Sequence, residues 1–204
     1  GGGTNLQAVI DRIEDGYLDK CRIAVVISNK EDAFALERAK KHNINAVYLP
    51  KGDLPDSEYD KLLIEHLESA GVDLVVLAGF MCILGEDFVN RFMDKIINIH
   101  PSLIPAFCGK GNYGLRPHKR VLEYGAKITG ATVHFVELDT DAGPIILQKA
   151  VVVKDDDTPE TLQRRVMEEA EWKLLPEAIK LISENRIRKD GRKVTIIQEG
   201  QNNL

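Results

Sequence analysis

The stretch that decides the fold is Asp73-Leu74-Val75-Val76-Leu77-Ala78-Gly79. It is a continuous apolar run, which is typical of a strand in a parallel sheet with both faces covered by helices. A second such strand is predicted at 22–28, and helix-like segments at 32–42 and 57–70 lie between the strands. Ser57 and Asp60 indicate a capping box at the start of the later helix. The alternation predicts an α/β fold with a mostly parallel, twisted sheet and helices on both faces.

The second half of the chain predicts a different kind of pairing. Two strand-like segments, 130–136 and 144–153, follow each other with little between them. Neighbouring strands joined in this way form an antiparallel pair, so we expect an antiparallel extension of the sheet. The sheet is expected to include the segments 22–28, 73–79, 96–100, 130–137 and 144–153, with the first three parallel.

The composition restricts the class of protein. The chain has 204 residues, 44% of them apolar and 29% charged, and a net charge of −5. The acidic balance argues against nucleic acid as a partner, and no apolar run reaches the roughly 18 residues that a membrane span needs. Three widely spaced cysteines favour reduced thiols in a cytoplasmic protein over disulfides or a zinc site. No repeat or linker is visible, so we expect one domain at 1–204, with a phosphate-binding half at 1–93 and a catalytic half at 94–204.

The strongest chemical signal is Ile97-Asn98-Ile99-His100-Pro101, at the end of a short apolar strand. Side chains alternate across a strand, so Asn98 and His100 share one face. A carboxamide can donate a hydrogen bond to a reacting carbonyl oxygen, while an imidazole handles the proton or the charge. A polar pair at a strand end can instead simply satisfy the backbone of a loop.

Three loops supply further candidates, each with an ordinary structural alternative. The chain begins Gly1-Gly2-Gly3-Thr4-Asn5 directly before a helix, which suits phosphate but also suits a flexible tail. The apolar loop 79–84 follows a strand, where ligands of α/β sheets bind, although core filling is also common there. Asp139 and Asp141 lie in a Gly-Pro turn, and such a carboxylate can orient an imidazole.

The remaining histidines are weaker candidates for a functional role. His118 follows the Asn98–His100 strand and is a possible supporting residue. His134 lies on a predicted strand and is interpreted as a satisfied core residue. No spacing of histidine, cysteine and carboxylate residues indicates a metal site.

Taken together, these motifs resemble the phosphoribosylglycinamide formyltransferases, also called glycinamide ribonucleotide transformylases, of the folate-dependent formyltransferase family. The resemblance covers nearly the whole chain in order and spacing. The segments that carry it are GGGTNLQ (1–7), SNKEDAFALERA (28–39), DLVVLAGFMCIL (73–84), INIHPSLIPAF (97–107), GATVHFV (130–136), DTDAGPIILQ (139–148) and AEWKLLPEAI (170–179). Members of this family have a Rossmann-like fold whose first strand leads into the glycine loop, so we expect a strand upstream of Gly1.

The resemblance implies transfer of the formyl group of 10-formyltetrahydrofolate to the amine of glycinamide ribonucleotide. The implied catalytic residues are Asn98, His100 and Asp141, and the implied ribonucleotide-binding residues are Gly3, Thr4, Asn5 and Glu171. The implied folate-binding residues are Met81, Cys82, Ile83, Leu84, Asn98, Glu137, Leu138, Asp139, Thr140 and Asp141. The resemblance implies no metal and leaves monomer and homodimer open.

Two departures from the family pattern concern the tail of the folate. Cys82 stands where many relatives have arginine, and Asp56 stands near where several carry a basic residue. Three rival functions stay open: a methionyl-tRNA formyltransferase, a formyltetrahydrofolate hydrolase and a nucleotide-binding module without catalysis. The first would need a further, usually basic, C-terminal domain, and the last has no need for Asn98, His100 and Asp141 together.

Overall fold

The computed structural model describes residues 2–82 and 84–198 of the chain. The helices are α1 Thr4–Glu14, α2 Phe34–Lys41, α3 Asp56–Ser69, α4 Glu86–Arg91, α5 Arg116–Tyr124, α6 Pro159–Val166 and α7 Trp172–Ser183, with a π-helical turn at Met167–Glu171. The strands are β1 Val26–Ser28, β2 Ala46–Tyr48, β3 Val75–Leu77, β4 Ile96–His100, β5 Ile128–Phe135, β6 Ile145–Val152, β7 Ile187–Asp190 and β8 Lys193–Ile196. None of the helices in this part of the chain has both the length and the apolar character to cross a membrane.

The central sheet joins the two halves of the chain. It has the strand order β3-β4-β5-β6, in which β3 and β4 are parallel and the two later pairs are antiparallel. The α/β class and the antiparallel extension are therefore confirmed. The balance of the sheet differs from the prediction, because the described strands form two parallel and three antiparallel pairs. β4 is nevertheless buried on both sides, because Ile97 and Ile99 pack in one core cluster and Ile96 packs in the other.

The prediction that β1 belongs to the same sheet as β3 and β4 is wrong for the described residues. β1 instead pairs in parallel with β2, and these two strands form a sheet of their own. An apolar run shows that a segment is buried, but it carries no information about which strand lies beside it. The sequence pattern therefore identified the strand without identifying its partner.

The core consists of two clusters of buried apolar side chains. The larger cluster combines the inner faces of β4, β5 and β6 with α6 and α7, and it includes Ile97, Val133 and Leu175. The smaller cluster lies around α3, α4 and β3 and includes Tyr59 and Phe88. Because β4 contributes alternating residues to the larger cluster, its polar residues are held at fixed positions beside a rigid core.

The predicted capping box at the start of α3 is wrong. Pro55 precedes this helix and no side chain caps it. Asp60 is instead buried, and its Oδ2 accepts a hydrogen bond of 2.8 Å from the backbone N–H of Gly85, the residue before α4. Local spacing does not show whether a carboxylate accepts a hydrogen bond at the start of its own helix or at the start of a distant one.

Candidate active site

The register of β4 and β5 assembles the first polar cluster. In this antiparallel pair Asn98 lies opposite His134, and His100 lies opposite Thr132. Directly opposite residues of an antiparallel pair have neighbouring side chains on one face. Asn98 Nδ2 lies 3.2 Å from His134 Nε2, so the two side chains form a hydrogen bond. The predicted pair Asn98 and His100 therefore has a third member, which comes from the adjacent strand.

Asp141 joins this cluster from the loop between β5 and β6. Its backbone is left-handed, with φ at 56°, which turns the side chain inward. One carboxylate oxygen, Oδ2, lies 3.4 Å from His100 Nδ1 and accepts a hydrogen bond of 2.8 Å from the backbone N–H of Gly109. The other oxygen, Oδ1, lies 3.7 Å from His134 Nε2. The structure thus places Asp141 between two imidazoles, one of which, His100, belongs with Asp141 to the catalytic residues that the family resemblance implies.

Gly143 allows the loop to reach the end of β5. A Cβ atom at this position would lie 1.8 Å from the carbonyl oxygen of Phe135, far inside any permitted contact. Only glycine lets the two backbone segments approach so closely. Pro144 O also accepts a hydrogen bond of 2.9 Å from the Phe135 N–H. The contact holds the loop that carries Asp141 against β5.

Burial and charge act in opposite directions on His100. Its side chain is only 6% exposed, and burial lowers the pKa of the imidazole below its ordinary value, while the Asp141 charge acts to raise it. His100 Nε2 also lies 3.3 Å from the Phe107 carbonyl oxygen, so both ring nitrogens face hydrogen-bond acceptors. The charged imidazolium is the form that satisfies both of them.

The carboxyl group of Asp141 stays ionised in this environment. Burial acts to raise its pKa, but the close approach of His134, the charge of His100 and the N–H of Gly109 outweigh burial, and the net pKa is lowered. A carboxylate whose charge is held in this way can support a positive imidazole at short range. Asp141 can therefore stabilise a positive charge on His100 when the imidazole becomes protonated, although the net pKa of His100 lies below its ordinary value.

His134 is the residue of this cluster that the sequence interpretation missed. It was interpreted as a core residue, and it is indeed only 2% exposed. It nevertheless contacts both Asn98 and Asp141. The available signal was its position on β5, because the polar residue opposite a candidate catalytic residue in a neighbouring strand shares its face.

His118 lies close to His100 without bonding to it. It is fully buried on α5, and neither of its ring nitrogens has a hydrogen-bond partner among the described residues. Burial and the nearby His100 lower the pKa of His118 to about 4. Among the described residues, no hydrogen bond connects His118 with the catalytic cluster, so its predicted supporting role has no direct contact as evidence. The lowered pKa keeps the ring neutral at physiological pH.

A second polar cluster lies at the start of α1. Asn5 Nδ2 donates a hydrogen bond of 2.7 Å to Glu171 Oε2, which joins residues that are 166 positions apart. Glu171 is 7% exposed and lies at the end of the π-helical turn, and burial raises the pKa of its carboxyl group. The buried Oδ1 atom of Asn5 has no hydrogen-bond partner among the described residues. Asn5 Oδ1 is therefore an acceptor that the described part of the protein leaves available to a ligand.

Gly3 fixes the start of α1 next to this cluster. It has a left-handed backbone with φ at 65°, and no side chain caps the helix. A Cβ atom at Gly3 would lie 2.8 Å from Ala35 Cα, so only glycine fits against α2. The first N–H groups of a helix lack partners within the helix and attract anions. The predicted phosphate loop and the predicted contact Glu171 thus lie at one end of α1.

The predicted folate-binding segments lie in two loops. Met81 is 52% exposed, and Cys82 Sγ accepts a hydrogen bond of 3.1 Å from Asn29 Nδ2. Leu84 packs against the smaller core cluster, and Ile83 lies outside the described residues. The residues 137–140 are exposed, in contrast to Asp141. Within the described parts of the chain, no hydrogen bond or ion pair links the loop 81–84 with His100 or Asp141.

The family model described as "Formyl transferase" matches residues 1–179. The chain belongs to this family. It is 43% identical over 189 residues to a phosphoribosylglycinamide formyltransferase of Haemophilus influenzae, covering 92% of this chain and 86% of that protein. It is 40% identical over 206 residues to the chloroplastic phosphoribosylglycinamide formyltransferase of Arabidopsis thaliana, covering 99% of this chain and 69% of that protein. The formyl transferase fold is shared with glycinamide ribonucleotide transformylase 1 from Symbiobacterium toebii, with a TM-score of 0.91 and 44% identity over 97% of this chain and 91% of that one.

Proposed function

We propose that this chain transfers the formyl group of 10-formyltetrahydrofolate to the amine of glycinamide ribonucleotide in purine biosynthesis. The observation that carries the proposal is the single cluster of Asn98, His100 and Asp141, in which a carboxylate lies 3.4 Å from a buried imidazole. A formyl transfer needs this combination of a hydrogen-bond donor, an acid and a charge partner around one carbonyl. The similarity to named phosphoribosylglycinamide formyltransferases supports glycinamide ribonucleotide as the acceptor.

The reaction begins with attack of the amine nitrogen on the formyl carbon. The carbonyl oxygen gains a negative charge as the carbon becomes tetrahedral. Asn98 Nδ2–H and the Nε2–H of the protonated His100 donate hydrogen bonds to this oxygen. Without substrate, His100 Nε2 faces the Phe107 carbonyl oxygen, so in the reaction this donor exchanges that acceptor for the substrate oxygen. Collapse of the intermediate breaks the bond to folate N10 and leaves the formyl group on the amine.

Asp141 supports both charge and proton movement in this scheme. Its carboxylate stabilises the imidazolium of His100 at a distance of 3.4 Å. The attacking amine loses one proton and the leaving folate nitrogen gains one. Asp141, acting through water, helps to move this proton. The atoms and charges therefore balance without any group outside the two substrates, water and these side chains.

The ribonucleotide is assigned to the cluster at the start of α1. The uncapped N-terminus, with Gly3, Thr4 and Asn5, suits the phosphate, since free N–H groups and the helix dipole favour an anion. The unpartnered Oδ1 atom of Asn5 and the buried carboxyl group of Glu171 suit the hydroxyl or amine groups of the same substrate. This assignment corresponds to the proposed phosphate-binding half of the domain, 1–93, completed by one residue from the half 94–204.

The folate is assigned to the loop 81–84, to Asn98 and to the segment 137–141. Four of the residues in that last segment are exposed, so they are available to a ligand beside the catalytic cluster. Cys82 and Asp56 differ from the basic residues of many relatives, and Asp56 forms an ion pair with Lys51. The tail of the folate therefore meets a less basic surface at these two positions than it would in such relatives.

Turnover with and without the ribonucleotide tests the proposed function. We expect the absorbance of tetrahydrofolate to appear only when glycinamide ribonucleotide is present, because the amine is the attacking group. The measurement is a spectrophotometric assay with 10-formyltetrahydrofolate. Equal turnover without the ribonucleotide would instead identify a hydrolase, and no turnover under either condition would identify a binding module.

The substitution Asn5→Ala is expected to raise the KM for the ribonucleotide by roughly tenfold, while the KM for the folate changes less than about twofold. The physical reason is the loss of a polar group that holds Glu171 and has a free acceptor atom in the proposed site. Steady-state kinetics with each substrate varied in turn measures both constants. Asn90→Ala, an exposed position on α4, is the matched control. Equal increases for both substrates would contradict the assignment of Asn5 to the ribonucleotide.

A further inference from the structure

Two contacts of His134 indicate which ring nitrogen carries the proton. His134 Nδ1 lies 2.8 Å from the Phe135 carbonyl oxygen, which can only accept a hydrogen bond, so Nδ1 carries a proton. The ring of a neutral histidine then has an acceptor at Nε2, and this atom lies 3.2 Å from Asn98 Nδ2. Because Asn98 Nδ2 can only donate, the bond between the two side chains runs from the amide to the ring.

This bond distinguishes the two orientations of the Asn98 amide. With Nδ2 toward His134, one N–H of the amide is used and the second N–H remains free. If the amide were turned over, Oδ1 would face His134 Nε2, and two lone pairs would repel each other. The same rotation would present a carbonyl oxygen where the proposed reaction builds negative charge.

We infer that His134 is a positioning residue, which holds the Asn98 amide with its free N–H directed at the developing oxyanion. The inference rests on the proposed function, because it assigns His134 a role in that same site. His134 need not touch the substrate for this role. The sheet register supports it, since Asn98 and His134 are directly opposite on β4 and β5 and both strands are anchored in the larger core cluster.

Asp141 offers a competing explanation for the importance of His134. Its Oδ1 lies 3.7 Å from His134 Nε2, a longer separation than the 3.2 Å to Asn98. A proton on Nε2 would strengthen the contact with Asp141, but it would put two donors face to face at Asn98. The geometry therefore favours action through Asn98 over action through Asp141, and the two pathways predict different double-mutant behaviour.

A double-mutant cycle tests the inference. We expect His134→Leu to lower kcat by about tenfold, with KM for both substrates changed less than about twofold, because one oxyanion donor is lost or misdirected. In an Asn98→Ala background the same change is expected to cost less than about twofold, and in an Asp141→Asn background clearly more than that, although less than the full tenfold. His134→Gln keeps an acceptor for the amide and is expected to recover part of kcat.

Two results would overturn the role of His134 without affecting the proposed function. In the first, His134→Leu lowers kcat by the same factor in the Asn98→Ala background as in the wild-type background. The wild-type protein meanwhile transfers formyl groups normally. The second result is measured on the wild-type protein, so it does not depend on whether a variant folds. Long-range ¹H–¹⁵N correlation spectra should show His134 as the neutral Nδ1–H tautomer, and a ring protonated at Nε2 is incompatible with the inference. Loss of transfer by the wild-type protein would count against the proposed function alone.

Discussion

The substitution His100→Ala is expected to lower kcat by roughly two or more orders of magnitude, with little change in ribonucleotide binding. The imidazole is the group that, when protonated, faces the tetrahedral oxyanion in the proposed mechanism. It is buried beside Asp141, and an alanine leaves no donor at this position. Steady-state kcat measures the loss of transition-state stabilisation, and isothermal titration with the ribonucleotide measures ground-state binding.

The control for this experiment is His66→Ala, which removes an exposed imidazole from α3. It should leave kcat unchanged. A thermal unfolding curve of His100→Ala separates lost catalysis from lost structure, since the side chain is buried. Turnover near the wild-type value in a folded His100→Ala protein would remove His100 from the mechanism. If Asn98, His100 and Asp141 act on one intermediate, the losses from combined substitutions should be smaller than the product of the single losses.

The substitution Asp141→Asn is expected to lower kcat most strongly at higher pH. Burial lowers the pKa of His100, and the charge of Asp141 opposes this effect. An asparagine keeps an oxygen for the Gly109 N–H but has no charge, so the pKa of His100 falls further. The imidazolium that the mechanism needs is then lost at a lower pH than in the wild-type protein. A profile of kcat against pH should therefore show its alkaline limb moved to lower pH.

The direction in which the alkaline limb of the kcat profile moves shows whether Asp141 supports the charge of His100 or has only a structural role. Asp155→Asn removes a charge from a side chain that is 97% exposed, and it should leave the profile in place. A uniform loss of kcat at every pH in Asp141→Asn would indicate that Asp141 orients a group without supporting its charge. A shift of the alkaline limb to higher pH would contradict the proposed pairing of Asp141 with His100.

The local part of the site could be read from the sequence because alternation within one strand is a local property. Asn98 and His100 are two residues apart on β4, so they share a face whatever the rest of the fold does. The strands β5 and β6 were predicted as a neighbouring antiparallel pair for a similar reason, since a short connection leaves little other choice.

The distant members of the site could not be placed in the same way. Asp141 reaches His100 because the left-handed backbone at Asp141 turns its side chain inward and the glycine at 143 lets the loop lie on Phe135. The pairing of β1 with β2 and the contact of Asp60 with Gly85 are also tertiary choices. Each depends on which surfaces meet when the two core clusters form, and apolar spacing does not encode that information.

The sequence by itself determined the α/β class, the strand that carries Asn98 and His100, and the resemblance to folate-dependent formyltransferases. Only the tertiary structure decided that His134 faces Asn98 across the sheet, that Asp141 lies between two imidazoles, and that Asn5 meets Glu171. The physical reason is that periodicity fixes the direction of a side chain relative to its own strand or helix. The partner of that side chain is fixed by strand register and by close approaches of backbone, which form only when the whole chain packs.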